Sequence, residues 1–273
     1  MKENHNIPLF WWSEVRLMGK QKENYGDLLS RYIVEKNTEK KVEWIHPKKQ
    51  PWYKLNKKNY LSIGSIIHHA TTKSIVWGSG IIDRDQKISK ASFRAVRGPK
   101  TKEYLNSLGY DCPAVYGDPA ILLPLYFQPK VQKKYKFGII PHYQDYKSVL
   151  KLCSETSYED VLVIDLLCDD VEKVTEKILS CEKTISSSLH GLIVSHSYEI
   201  PSIWVEFSNK LFGDGIKFAD YLESVGLPAY APKLISDKIT IELFEKLIQN
   251  NTSLPENSVI HQLQTGLLNS SPF

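Results

Sequence analysis

The chain has 273 residues, of which 42% are hydrophobic and 24% are charged, and its formal net charge is +4. This composition is typical of a globular protein with a sizeable core, and so mild a charge does not by itself indicate nucleic-acid binding. The four cysteines form no CxxC or CxxH pair, which disfavours a zinc site, and their scatter suits a reducing compartment. Because the start of the chain lacks a signal-peptide pattern and no apolar run is long enough to span a bilayer, we expect a cytoplasmic enzyme or binding protein.

The first half of the chain alternates between strand-like and helix-like patterns. Short runs rich in β-branched and aromatic residues predict strands at 7–12, 42–45, 61–67, 74–77, 93–96 and 114–117. A helix is predicted after the loop 24–27, and another begins at Pro99, which suits a first helical position, and ends at Gly109. The stretch 126–136 carries four lysines and little apolar content, which indicates a linker.

The second half has a more regular rhythm. Helical patterns separate its predicted strands, which lie at 137–141, 161–167, 183–186 and 203–207. Such alternation predicts a parallel sheet with right-handed crossovers. We therefore predict an α/β fold of two Rossmann-like domains facing a cleft. Their predicted bounds are 1–128 and 129–273, with the last helix returning to the N-terminal domain.

The stretch 184–193 is the centre of the functional prediction. Two β-branched residues lead into three serines, then His190, Gly191 and an apolar run, which predicts a strand end, a tight turn and a helix start. A serine cap and the free N–H groups of a helix N-terminus can hold a phosphate or carboxylate. His190 would lie beside that ligand; the alternative is a histidine packed against a capped helix.

Nine short motifs, in one order along the chain, resemble the polysaccharide pyruvyl transferase family and in particular its xanthan-type ketal-pyruvate transferases of exopolysaccharide biosynthesis. They lie at 10–12, 24–27, 64–68, 76–80, 94–101, 115–119, 141–142, 186–191 and 217–221. Ser188 stands where the wider family often has an arginine before Leu-His-Gly.

The resemblance implies a glycosyltransferase-B-like fold whose N-terminal domain takes the acceptor and whose C-terminal domain takes the donor. It implies phosphoenolpyruvate as a co-substrate, with no cofactor. The expected acceptor is galactose or another hexose of a lipid-linked or surface polysaccharide precursor, as in capsular polysaccharide, and two of its hydroxyls become a cyclic pyruvate ketal.

Such a reaction needs anion binders, an acid and a base. Arg97 is the first predicted anion binder, because its planar fork matches a carboxylate or phosphate. His190 is predicted to be the general acid or a cationic phosphate ligand, and Asp27 either takes a proton from the acceptor or caps a helix. Further predicted substrate contacts are Lys100, Ser187, Ser188, Leu189, Gly78, Ser79, Gly80, His68, His142, Asp118 and Lys217. Simple capping, turn and surface roles remain open for the serines, Asp118 and Lys100. No metal is expected, because the sequence has no cluster of ligand spacing.

The segment 40–58 contains seven lysines and a single acidic residue, Glu43, with aromatic residues between the lysines. This pattern predicts peripheral contact with the inner face of the cytoplasmic membrane, and a solvated lysine face is the alternative. Two other functions stay open. A sugar-nucleotide-dependent glycosyltransferase would need an acidic residue for the ribose, with Glu206 as the candidate. A non-catalytic glycan-binding protein would be expected to lose Arg97 or His190.

Overall fold

The computed structural model describes residues 6–153, 159–209, 213–237, 239–251 and 254–273. Within these ranges the strands form two five-stranded sheets, each parallel throughout, and one two-stranded antiparallel ribbon. The predicted α/β class with parallel sheets is confirmed. In the same described ranges no helix is long and apolar enough to cross a membrane.

The first sheet has the order β3-β1-β4-β5-β6. Its strands are β1 (Ile7–Phe10), β3 (Val42–Trp44), β4 (Asn59–Leu61), β5 (Ser74–Trp77) and β6 (Ser92–Ala95). The helices of this half are α1 (Glu14–Met18), α2 (Tyr25–Thr38), α3 (Pro99–Ser107) and α4 (Leu123–Tyr126), and a 3-10 helix, Pro119–Leu122, leads into α4.

The second sheet has the order β12-β11-β10-β7-β8. Its strands are β7 (Tyr135–Ile140), β8 (Val161–Val163), β10 (Cys181–Ser186), β11 (Ser202–Glu206) and β12 (Lys233–Leu234). The helices of this half are α5 (Tyr146–Leu152), α6 (Val171–Leu179), α7 (Leu189–Ser197), α8 (Ile216–Ser224), α9 (Ile241–Gln249) and α10 (Asn257–Asn269).

The apolar run 161–167 does not form the single strand predicted for it. The strand β8 ends at Val163, and the Asp165 carboxylate accepts the Leu167 N–H at 2.9 Å, which turns the chain. The next two residues, β9 (Leu167–Cys168), pair antiparallel with β2 (Glu23–Asn24) from the first half. The run is apolar because it crosses between the halves, where the Leu166 carbonyl accepts the Tyr25 N–H at 2.8 Å.

Two other predicted strands are shorter than expected. The run 61–67 is strand only at its start, because the chain turns at Gly64, whose φ is +108°, and then forms the 3-10 helix Ile67–His69. The run 114–117 makes a single bridge, between Tyr116 and Val96. The turn at Gly64 carries the chain into the cleft between the sheets.

The two halves share one hydrophobic core. A single cluster of buried side chains includes Leu9 and Leu29 of the first half and Leu189 and Leu192 of the second. The C-terminal helix α10 returns to the first half, where the Leu267 carbonyl accepts the indole N–H of Trp77 at 2.9 Å. The two halves are therefore packed against each other through this shared cluster.

Candidate active site

A cavity of about 550 Å³ lies between the carboxyl ends of the two parallel sheets. Ligands of open α/β sheets bind at this edge, because the loops that leave the strands converge there. Both halves contribute to the wall, which includes Trp12, Glu14, Asp27, Ser65, His68, His69, Gln86, His142, Tyr143, Ser188, Leu189, His190 and Lys217. Of the loops predicted to open into the cleft, 24–27 and 186–190 line this cavity, whereas 78–80 and 97–101 do not.

The start of α7 forms part of the cavity wall, as the sequence predicted. Ser188 is the cap residue, and its own N–H donates to the Ser186 hydroxyl at 3.0 Å. The N–H groups of the first helical turn, from Leu189 to Gly191, have no hydrogen-bond partner in the described part of the chain. The Ser187 hydroxyl, by contrast, already accepts the His142 N–H at 2.8 Å. Ser188 and the free N–H groups are therefore available to an anion. The Ser187 hydroxyl instead links its loop to His142.

His190 is positioned by the first half of the chain. Its ring lies against Gly26 of α2, where a Cβ atom would overlap the imidazole, so this position accepts only glycine. Its Nε2 lies 3.6 Å from Oδ2 of Asp118, and both atoms are buried without another partner in the described structure. The other oxygen of Asp118 accepts the Ala120 N–H at 3.0 Å and fixes the carboxylate. Asp118 is thus both a turn residue and an orienting partner for His190.

Asp27 projects from the first turn of α2 into the cavity. The helix cap is Asn24, whose side chain accepts the Gly26 N–H at 2.9 Å, so the capping role considered for Asp27 is wrong. The Asp27 carboxyl has neither a hydrogen bond nor an ion pair in the described structure. Burial raises its pKa well above the usual value, and the charge of Glu14 raises the pKa further. Both effects favour the protonated form, which can act as an acid.

Lys217, the second residue of α8, is the cation on the same wall. No carboxylate lies within 4.0 Å of its amine among the residues that the structure describes. Burial lowers its pKa to about 8, Arg97 lowers it as well, and Asp27 opposes the shift. The amine stays largely charged at neutral pH and lacks a counterion, which suits it to bind an anionic ligand.

Arg97 lies behind the wall and not in it. Its side chain is fully buried and donates to Asp220 at 3.0 Å, to the Ser65 hydroxyl at 2.7 Å and to the Ile81 carbonyl at 2.6 Å. Asp220 also accepts the Thr101 N–H and hydroxyl, at 2.9 and 2.6 Å. The fork predicted to hold a ligand is occupied by a protein carboxylate, so in this geometry Arg97 supports the loop that presents Ser65.

Four other predicted contacts from the first half also lie outside the cavity. Gly80 allows close approach of the Arg97 guanidinium, and Gly78 allows close approach of Pro119. The Ser79 hydroxyl donates to the Gly64 carbonyl at 2.8 Å. Lys100 forms a partly exposed ion pair with Glu223 at 3.1 Å. Gly78, Ser79 and Gly80 support the cavity wall, and Lys100 lies on the surface.

The cavity wall also contains residues that the sequence did not reveal. Glu14 is only 3% exposed, and it accepts from the Trp12 indole and the Tyr143 hydroxyl, each at 3.1 Å. Lys20 balances its charge at 2.6 Å. The sequence carries no signal for this cluster, because Tyr143 comes from the other half of the chain.

His68, His69 and His142, which line the cavity, are held neutral. Burial lowers the pKa of His68 to about 4 and that of His69 to about 3. Burial, with Lys217 and Lys20, lowers the pKa of His142 to about 4. The neutral imidazoles of His68 and His69, with the Trp12 ring beside His69, suit a polar, uncharged ligand. Among the described residues, no group of three or more His, Cys, Asp or Glu is arranged to hold a metal ion.

Comparison with known proteins gives two matches. The family model for polysaccharide pyruvyl transferase matches residues 14–209. An uncharacterized protein of Acanthamoeba polyphaga mimivirus is 32% identical over 236 residues, which cover 85% of this chain and 78% of the relative. No solved structure matches the chain. The family match contains Asp27, Asp118 and His190 and ends before Lys217.

Proposed function

The chain belongs to the polysaccharide pyruvyl transferase family and is a pyruvyltransferase, and we propose that it moves the pyruvyl group of phosphoenolpyruvate onto two hydroxyls of one sugar. The product is a cyclic ketal, and one phosphate leaves for each ketal formed. The observation that carries this proposal is that Asp27, Lys217 and His190 border one cavity beside a helix N-terminus. An acid, a base, a cation and a site for an oxyanion are the groups this reaction requires.

The donor anion is assigned to the end of the cavity formed by α7 and α8. The free N–H groups from Leu189 to Gly191 and the positive end of the helix dipole favour a phosphate or carboxylate. Lys217 adds a full charge, and the Ser188 hydroxyl adds a donor at the same wall. In this proposal Lys217 and the helix N-terminus take the anion-binding role that the sequence gave to Arg97.

Two proton transfers follow from the geometry. Protonated Asp27 passes its proton to the methylene carbon of the donor, and the carbon that bears the phosphate becomes the electrophile. A sugar hydroxyl attacks this carbon, and His190, held by Asp118, takes the hydroxyl proton. The second hydroxyl then displaces phosphate, and its proton leaves with the phosphate. The proton held by His190 returns to Asp27 through water, which restores both groups for the next turnover. Asp27 therefore replaces His190 as the acid, because its pKa is raised and its carboxyl is free.

The acceptor is assigned to the end formed by Trp12, Glu14, His68 and Tyr143. Aromatic rings and buried polar groups are typical of pockets that bind neutral polar ligands. A hexose such as galactose, carried on a lipid-linked or surface polysaccharide precursor, is the proposed acceptor. The proposed enzyme is cytoplasmic and needs no cofactor, and we propose that its two sheets form a glycosyltransferase-B-like pair of domains.

The glycosyltransferase alternative gains no support from the site. Glu206, its candidate ribose ligand, ends β11 and is absent from the residues that line the cavity. The test is to incubate the purified protein with phosphoenolpyruvate and a panel of hexoses and lipid-linked sugars. We expect phosphate release together with a new ketal methyl signal in the NMR spectrum, both lost in Asp27→Asn. Transfer of a sugar from a nucleotide donor, without any ketal signal, would replace this function with the alternative.

A further inference from the structure

The loop between Gln50 and Lys57 is a closed protrusion with an apolar tip. Its base is tied by the Gln50 side-chain amide, which donates to the Lys57 carbonyl at 3.0 Å, and the Lys54 N–H closes a turn onto Pro51 at 3.1 Å. The exposed fractions at the tip are 89% for Trp52, 70% for Tyr53 and 103% for Leu55. Three adjacent large apolar side chains held out from a fixed base indicate a binding surface.

Cations surround this tip. Lys48, Lys49 and Lys58 are exposed, and Lys54 and Lys57 are half-buried. None of them has a carboxylate within 4.0 Å in the described part of the chain. The loop therefore combines uncompensated positive charge with exposed tryptophan, tyrosine and leucine, a combination that complements an anionic lipid surface.

The structure separates two tryptophans that look equivalent in the sequence. Trp44 points inward, where its indole donates to the Trp11 carbonyl at 3.0 Å and its ring contacts Phe10. The Trp52 ring contacts the neighbouring Tyr53 ring, with centroids 6.0 Å apart, and Trp52 is 89% exposed. The inward residue belongs to the core, and the outward residue belongs to the tip.

The base of the loop adjoins the acceptor end of the cavity. The Lys48 amine donates to the His68 carbonyl at 2.7 Å, and the His46 ring contacts the His69 ring at 5.4 Å. Both His68 and His69 line the cavity. A surface bound at the tip would thus lie close to the acceptor end.

We propose that Trp52, Tyr53 and Leu55 insert into the interface of an anionic bilayer, with the surrounding lysines on its headgroups, and thereby present the acceptor end of the cavity to a membrane-borne sugar. The part that concerns the acceptor rests on the proposed function. The binding part does not, because vesicle binding is measured without any turnover.

The experiment is co-sedimentation of the full chain with vesicles of phosphatidylglycerol mixed with phosphatidylcholine and with vesicles of pure phosphatidylcholine. Two tip variants are compared with wild type, Trp52→Glu/Leu55→Glu and Lys49→Glu/Lys58→Glu. The control is Lys147→Glu/Lys151→Glu on α5 in the other half, which matches the net-charge change of the lysine tip variant. Circular dichroism verifies that each variant is folded, and phosphoenolpyruvate titration verifies that the donor site is intact.

We expect wild type and the α5 control to bind the anionic vesicles but not the vesicles of pure phosphatidylcholine. Added salt should weaken this binding. Each tip variant should lose at least about tenfold in vesicle affinity while binding phosphoenolpyruvate like wild type. Absence of vesicle binding, or equal loss in the α5 control, would overturn the proposal. Binding to a soluble glycan or a protein that needs the tip, without vesicle binding, would overturn it in favour of that partner.

Discussion

Two groups of charged side chains flank the cleft, and α8 supplies one member to each. In the first, Arg97 and Asp220 are fully buried, and every nitrogen of the guanidinium donates to an oxygen. In the second, Asp27 and Lys217 face a cavity, and neither has a partner within the described residues.

This difference distinguishes residues that stabilise the fold from residues that are available for binding and catalysis. Buried charges that are fully paired are costly to break and have no capacity left for a ligand. Ionisable groups left unpaired at a cavity carry a desolvation cost, and such groups are candidates for a ligand-binding or catalytic role. On this criterion Arg97 belongs to the scaffold, although its residue type and position make it look like a ligand.

The largest effect is expected for Arg97→Met. This variant should lower the free energy of unfolding by about 5 kcal/mol, because the Asp220 charge is left buried and unpaired. Urea unfolding measures the loss. The control is Lys100→Met, whose partly exposed ion pair should be worth no more than about 1 kcal/mol. Replacing the pair, in Arg97→Met/Asp220→Leu, should recover much of the stability. An Arg97→Met protein that is as stable as wild type but no longer binds phosphoenolpyruvate would move Arg97 back into the site.

The opposite behaviour is expected of Asp27→Asn. Turnover should fall on the order of a thousandfold, because the proton donor is lost. Stability should rise, since a raised folded-state pKa means that ionising Asp27 opposes folding once the pH exceeds its unfolded-state value of about 4. The gain in melting temperature should therefore be larger at about pH 7 than at about pH 3. A destabilised variant that keeps its turnover would contradict both assignments.

The variant His190→Gln tests whether His190 is the base that acts on the acceptor. We expect kcat to fall by about a hundredfold, with a smaller change in the affinity for phosphoenolpyruvate, because the base acts on the acceptor. The same substitution at the exposed His261 of α10 is the matched control and should leave kcat unchanged. Near-normal turnover in a folded His190→Gln enzyme would remove His190 from proton transfer.

The smallest expected effect concerns Lys217. Lys217→Gln should raise the KM for phosphoenolpyruvate by roughly tenfold, the size of one charge-assisted hydrogen bond. In wild type, kcat/KM should decline as the pH rises through about 8, where the amine loses its charge. Lys217→Arg should shift that decline to higher pH. A pH profile identical in all three proteins would show that Lys217 does not hold the donor.

Local patterns predicted the start of α7 well. The order of strand, serine turn and helix was visible in 184–193, and His190 does line the cavity. A capping pattern is local, so the sequence can specify it. The parallel α/β alternation was readable for the same reason, since each element carries its own hydrophobic period.

What the sequence could not predict depends on distant partners. Asp220 lies 123 residues from Arg97, and nothing near Arg97 indicates that its fork is already filled. The Tyr143 hydroxyl that donates to the buried Glu14 comes from the second half of the chain, 129 residues away. The run 161–167 was predicted to be one strand. A segment that passes between the two halves has the same apolar composition as a strand in the interior of a sheet.

The central claim, that the unpaired ionisable groups of the cavity form a site for phosphoenolpyruvate, is tested most directly by calorimetric titration. Phosphoenolpyruvate and a set of sugar nucleotides are titrated into wild type, Lys217→Gln and the surface control Lys100→Gln. We predict that wild type and Lys100→Gln bind phosphoenolpyruvate with equal affinity, that Lys217→Gln binds it about tenfold more weakly, and that no sugar nucleotide binds. Binding of a sugar nucleotide but not of phosphoenolpyruvate, or equal affinity in all three proteins, would contradict the account.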